Sequence, residues 1–340
     1  MIYRNVELFN VEEIRETSDK TGIFLSRFPS EVTETLKSGG AVAAKCCAGC
    51  EIRFVSGASI IWLTMEAVIS DVKLDIYCGE HQYKTVNIEA GKKNTIELRQ
   101  YDVFSNIDED ILLDKNTRYG HNVWRVCVSS PDSRVIFYDV AGLDGIVRPP
   151  MQSECNAIRW LAYGSSITYG IAAQSAFNSY IQHAAKLMKA EVMNKGMAGS
   201  CRCEKSIADY IKNTTWDILT LELGVNMFTI KTKEFKKRAE YLINSVYTAN
   251  IDKKIFVITP FMSFYSLGND KDMLDKFADY TRILKEAVAA INSENLILIN
   301  GDDILDSISY LDADLLHPSS YGHVRMGENL AKLILQYLEK

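Results

Sequence analysis
The chain has 340 residues, 47% of them hydrophobic and 24% charged, with a formal net charge of −6. That length suits two domains, and that composition suits a chain that buries a core. Acids and bases are interspersed without a basic surplus, so no nucleic-acid partner is expected.

The opening MIYRNVELFNVEEIRE has no apolar run after its early charge, so it does not read as a secretory signal. The most apolar stretches, 60–63 and 219–223, fall far short of the ~20 residues a membrane span needs. A cytoplasmic protein with no membrane partner is the expectation. In that setting the eight cysteines are expected to be reduced. Cys47-Ala-Gly-Cys50 has zinc-like local spacing, but Cys201-Arg-Cys203 does not supply a second pair. Plain buried thiols are therefore expected, with no metal and no cofactor.

Taken in order, the first ~40 residues hold a short strand or helix expected at a sheet edge. Short β-type runs follow at 51–55, 60–68, 72–78, 84–89, 95–101, 123–128 and 134–138. Many short strands at this spacing predict an antiparallel sandwich. Residues 142–153, with Pro149-Pro150, form the expected linker, giving domains at 1–150 and 151–340. The grammar then changes. Apolar strands at 158–163, 191–194, 217–223, 254–259 and 295–299 alternate with helices near 176–188, 204–212, 235–249, 272–291 and 321–338. Continuous apolar strands between helices predict a parallel sheet covered on both faces.

Catalytic loops of such sheets sit at the carboxyl ends of the strands. Four segments there, or just before the last helix, carry unusual residues. Gly164-Ser165-Ser166 follows the first strand and can expose a serine hydroxyl, although Ser-rich turns are common. Asn194-Lys195-Gly196-Met197-Ala198-Gly199-Ser200 can bring a backbone N–H close to a ligand, or serve as an ordinary loop. Gly224-Val225-Asn226 places an amide that can donate to an oxyanion or cap a turn. Asp314-Leu315-Leu316-His317-Pro318 is the least ambiguous. An Asp three positions before a His can reach its Nδ1–H and leave Nε2 free as a base.

In this order the four segments resemble the blocks of the SGNH/GDSL hydrolase superfamily. The resemblance covers roughly residue 157 to the C-terminus. It implies a three-layer α/β/α, flavodoxin-like domain with Ser166 as nucleophile, His317 as base and Asp314 as its orienting partner. It further implies an oxyanion hole from the Ser166 and Gly199 N–H groups and the Asn226 amide. Ser165 stands where the family often has Asp, and Met227 follows Asn226 where Asp is frequent. The first half, with Gly49-Cys50-Glu51-Ile52-Arg53-Phe54, is similar to two-domain bacterial GDSL-type acylhydrolases, which implies a jelly-roll-like sandwich ahead of the hydrolase. The expected activity is a serine esterase acting on a small-molecule or carbohydrate ester, with a short acyl group and an open oligomeric state. Tyr169, Arg202 and Glu204 are the candidates for substrate contacts.

Other residues weigh less. Trp62 and Trp124 fit core packing better than sugar stacking. His183 reads as packed or surface, and His323 as turned away from the site. Two rival readings stand beside the esterase. One is a metal-dependent hydrolase using Asp312, Asp314, His317 and His323. The other is a carbohydrate-binding protein with a vestigial site.

Overall fold
The computed structural model describes residues 1–112, 117–131, 133–155 and 157–338. It divides into two compact units. One comprises Met1–Ser30, Ala44–Ala157 and Lys189–Glu191; the other comprises Glu31–Ala43, Ile158–Met188 and Val192–Lys340.

The first unit is built from two antiparallel sheets. One runs Ile2–Tyr3, Val6–Phe9, Glu51–Ser56, Val123–Val128, Val72–Cys78, His81–Ile88, with Val147–Arg148 also paired to Glu51–Ser56. The other runs Glu13–Glu16, Ile23–Ser26, Val135–Gly142, Ile61–Ala67, Lys93–Leu98. Alternate residues of both sheets meet in one core: Ile52, Phe54, Leu74, Ile76 and Trp124 from the first, Leu25, Leu63, Met65 and Phe137 from the second. A period of two sends every second side chain inward, so the sheets close as a jelly-roll-like sandwich. Trp124 lies in this core, whereas Trp62 is half-buried on the other face of its strand.

Glu51–Ser56 and Val123–Val128 are buried on both faces. The face away from the sandwich core carries an ion cluster. Arg125 donates to Glu51 through Nε at 2.8 Å and Nη2 at 2.9 Å, and Arg53 Nε reaches the same carboxylate at 2.8 Å. Burial opposes the Glu51 charge, but the two guanidinium groups outweigh it and hold the carboxyl well below its usual range.

The first 40 residues depart from expectation. They supply four strands to the two sheets rather than one edge element, and Glu31–Ala43 packs with the other unit. The expected linker carries the short strand Val147–Arg148. All eight cysteines are buried thiols; Cys47 and Cys50 donate to the carbonyls of Leu25 and Asn10.

The second unit is organised by a parallel sheet of β1 (Ile158–Tyr163), β2 (Ala190–Asn194), β3 (Ile218–Glu222), β4 (Lys254–Ile258) and β5 (Leu296–Ile299), in the order β2-β1-β3-β4-β5. Its main helices are α1 (Tyr180–Leu187), α2 (Lys205–Asn213), α3 (Thr232–Ala249), α4 (Lys271–Ile291) and α5 (Ser320–Leu338). Helix α5 packs on α1, while α3 packs on both α2 and α4. Right-handed crossovers require this division: the chain steps from β1 to β2 in one direction and then reverses past β1. The result is the three-layer, flavodoxin-like arrangement, with a switch point between β1 and β3. The helix expected over 176–188 is broken at Ser179, which separates the 3-10 turn Ala176–Asn178 from α1. Among the described residues, no helix is long and apolar enough to cross a membrane.

Candidate active site
The loops after β1 and β3 meet at the switch point. Strand β1 ends at Tyr163, and a Cβ on the next residue, Gly164, would overlap Thr168 Oγ1 and Glu222 Oε2, so only glycine lets the turn pack this closely. Ser165 then caps a one-turn helix, Ser166–Tyr169, accepting from the Ile167 N–H at 3.1 Å. Ser166 is thereby held at the helix start, 8% exposed.

The other half comes from the segment before α5. His317 Nε2 lies 2.8 Å from Ser166 Oγ, and His317 Nδ1 lies 2.6 Å from Asp314 Oδ2. Asp314 Oδ1 accepts from the backbone N–H groups of Leu316 and His317, both at 2.9 Å. Burial opposes the Asp314 charge, but the bonds from the His317 ring and the two backbone groups outweigh it and hold its carboxyl below the usual value. A carboxylate can only accept, so Nδ1 carries the ring proton and Nε2 is free to accept from the serine. Between them Leu315 adopts a left-handed φ of 51°, and its carbonyl accepts from the Phe264 N–H at 2.8 Å.

The loop after β2 is stitched to the Ser166 turn. Asn194 Nδ2 donates to the carbonyls of Thr168 and Tyr169 at 3.2 and 3.3 Å, and Met197 N–H donates to Gly164 O at 2.8 Å. Gly199 is exposed with φ 65°, a left-handed turn conformation. Two residues on, Cys201 N–H donates to Asn226 Oδ1 at 3.0 Å. That bond fixes the amide with Nδ2 as the remaining donor. Tyr280 Oη holds the Asn226 turn by donating to Met227 O at 2.7 Å.

Ser166, His317 and Asp314 are thus joined by direct hydrogen bonds, and Asn226 is bonded to the loop that carries Gly199. The three residues expected to touch substrate lie differently. Tyr169 is only 3% exposed. Arg202 is half-buried, and its carbonyl accepts from Arg238 at 3.3 Å. Glu204 stands at the N-cap position of α2 without a side-chain capping bond and lines a cleft of about 850 Å³ with Lys205, Asp209, Arg238 and Tyr241, a lining that includes neither Ser166 nor His317.

Two further residues belong here: Glu222, which had no role in the sequence reading, and His323, which entered it only as a ligand in the metal-dependent alternative. Glu222, the last residue of β3, is 1% exposed and accepts from the Ser165 N–H at 2.6 Å. Its one trace in the sequence is a carboxylate at the end of a mostly apolar strand, which does not by itself mark an anchor. His323 makes no hydrogen bond to the side chains of Ser166, His317 or Asp314, but it is fully buried, with Nδ1 accepting from Tyr180 N–H at 3.1 Å and Nε2 donating to Ile171 O at 2.9 Å. Burial lowers its pKa to about 4. Ile171 N–H in turn donates to Ser166 O at 3.0 Å. With both ring nitrogens engaged, His323 does not join Asp312, Asp314 and His317 as a ligand set. Asp312 is exposed, with Oδ1 accepting from the Ala313 N–H.

A sequence profile described as the GDSL-like lipase/acylhydrolase family matches residues 158–335, more than half of the chain. No curated protein matches. Among solved structures, a salicylyl-acyltransferase, SsfX3, from a tetracycline biosynthetic pathway superposes with a TM-score of 0.81 at 14% identity, covering 98% of this chain and 94% of that one. A GDSL-like lipase from Bacteroides ovatus ATCC 8483 gives 0.69 at 18% identity, covering 92% of each chain. A family two carbohydrate esterase from Clostridium thermocellum, in complex with cellohexaose, gives 0.65 at 13% identity, covering 98% and 99%. At these identities the likeness shows the fold, and it extends over both units. The chain is an ester hydrolase belonging to the GDSL-like lipase/acylhydrolase family.

Proposed function
We propose that the protein is a serine esterase that works through an acyl-enzyme on Ser166. The observation that carries this reading is the continuous chain Ser166 Oγ, His317, Asp314 at 2.8 and 2.6 Å. A serine hydroxyl is a poor nucleophile until a base takes its proton. His317 Nε2 takes that proton as Oγ attacks the ester carbonyl, and Asp314 steadies the imidazolium that forms. The Ser166 and Gly199 N–H groups and Asn226 Nδ2 donate to the oxyanion. His317 then protonates the departing alcohol, and water repeats the cycle on the acyl-enzyme.

A short acyl group on a carbohydrate alcohol is the proposed substrate. It is supported by the fold shared with the family two carbohydrate esterases, one of them solved with cellohexaose. The test is a panel of short-chain aryl esters and acetylated sugars, run with wild type and Ser166→Ala beside a serine-reactive fluorophosphonate. Wild type should be labelled and active, and Ser166→Ala unlabelled and slower by several orders of magnitude. Unchanged activity in Ser166→Ala overturns the mechanism. Activity confined to aryl esters overturns the carbohydrate substrate alone.

A further inference from the structure
We propose that Glu222 is a positioning residue for Ser166, its buried carboxylate anchoring the Ser165–Thr168 turn from behind. The proposal rests on Ser166 being the nucleophile. Glu222 Oε2 accepts twice from that turn, from the Ser165 N–H at 2.6 Å and from Thr168 Oγ1 at 3.1 Å. Thr168 Oγ1 is also paired with Tyr180 Oη at 2.9 Å, which ties the anchor to α1. The missing Cβ of Gly164 leaves the space in which the carboxylate meets the turn. Every bond made to Glu222 Oε2 comes from within two residues of Ser166. The carboxylate therefore fixes the backbone that aims both Ser166 Oγ at His317 and Ser166 N–H at the oxyanion.

The surroundings make the anchor dependent on charge. Glu222 is almost fully buried, and Oε1 has no hydrogen-bond partner among the described residues. The groups facing it are Ser165 and Thr168 from the turn, Tyr180 from α1, and Cys201 and Cys203 from the loop after β2. None of them is a cation. Burial raises the Glu222 pKa to about 7, while the hydrogen bonds from Ser165 and Thr168 pull it down. A carboxylate accepts hydrogen bonds about twice as strongly as a neutral group. The turn is therefore held best once Glu222 has lost its proton, and the rate of attack by Ser166 rises with pH through that ionisation.

The experiment compares wild type, Glu222→Gln and Thr168→Val in kcat, KM and the rate constant for fluorophosphonate labelling, each from pH 5 to 9. Thermal melts establish that each variant folds. Glu222→Gln keeps the shape and an acceptor oxygen but not the charge. It should lower kcat and the labelling rate together by about 10- to 100-fold, with KM unchanged. It should also remove one ionisation near neutrality from the labelling profile. Thr168→Val, which removes one of the two bonds, should give a smaller loss in the same direction. A Glu222→Gln variant with the wild-type labelling profile overturns the proposal, as does a uniform rate loss with every ionisation retained. Wild type that resists labelling instead sinks the Ser166 reading on which the proposal stands.

Discussion
One carboxylate holds His317 twice: Asp314 Oδ2 accepts from the ring Nδ1 at 2.6 Å, and Asp314 Oδ1 accepts from the His317 backbone N–H at 2.9 Å. Both bonds close within a three-residue turn, so the tautomer and the position of the imidazole are set by the same group. Asp314→Asn keeps the size of the side chain and can keep the backbone contact. It cannot accept at both positions, and an amide N–H facing Nδ1 drives the ring proton to Nε2. We expect kcat to fall by about 1,000- to 10,000-fold with an unchanged circular dichroism spectrum. A loss below tenfold would remove Asp314 from the mechanism.

Asn226 is oriented by the Cys201 N–H on its Oδ1, which leaves Nδ2 as its donor. Asn226→Ala should lower kcat by about 100- to 1,000-fold and leave KM nearly unchanged, because the oxyanion exists only in the transition state. Steady-state kinetics on any accepted ester decides this. A rise in KM at constant kcat would instead make Asn226 a ground-state contact.

His323 and Glu222 give the fold opposite pH dependences. The pKa of His323 falls from 6.5 to about 4 on folding, so between those values the unfolded chain binds more protons. Stability from this group is complete above 6.5 and is lost as pH falls toward 4, on the order of 3 kcal/mol in all. The Glu222 pKa rises from 4.5 to about 7, so its contribution is complete below 4.5 and is lost as pH rises through 7. The wild-type profile mixes the two. Urea midpoints of wild type and His323→Gln at pH 7 and pH 5 separate them: the difference between the proteins should shrink at pH 5. A constant difference would show that His323 titrates in the fold as it does in the unfolded chain.

In the sandwich, Arg125 and Arg53 share the buried Glu51 carboxylate. Arg125→Met should destabilise the protein by about 3–5 kcal/mol, since it leaves Glu51 buried with half its compensation. Urea unfolding at neutral pH measures this. Replacing Glu51 and Arg125 together with apolar residues should recover most of the loss, and no recovery would mean that packing, not charge, sets the cost.

Much of this was legible in the chain. Strands 72–78 and 123–128 match the structure residue for residue, because alternation and turn signals bound them on both sides. The four segments with Ser166, Gly199, Asn226 and His317 were legible because the turn chemistry that presents them is local. The first 40 residues were not. Their four strands are two or four residues long, too short to show a period, and their pairing is settled by partners such as Glu51–Ser56 far along the chain.

The sequence by itself determined the order of elements, the two grammars and the Asp314–His317 turn, since a turn of three residues needs nothing beyond its own backbone. Only the tertiary structure decided what stands behind the site. Glu222 lies 56 positions after Ser166, and His323 lies 143 after Tyr180. Nothing in their neighbours along the chain marks one as an anchor and the other as a neutral buttress. Those roles come from burial, which removes water from both groups and leaves each to be defined by the few polar atoms the fold brings to it.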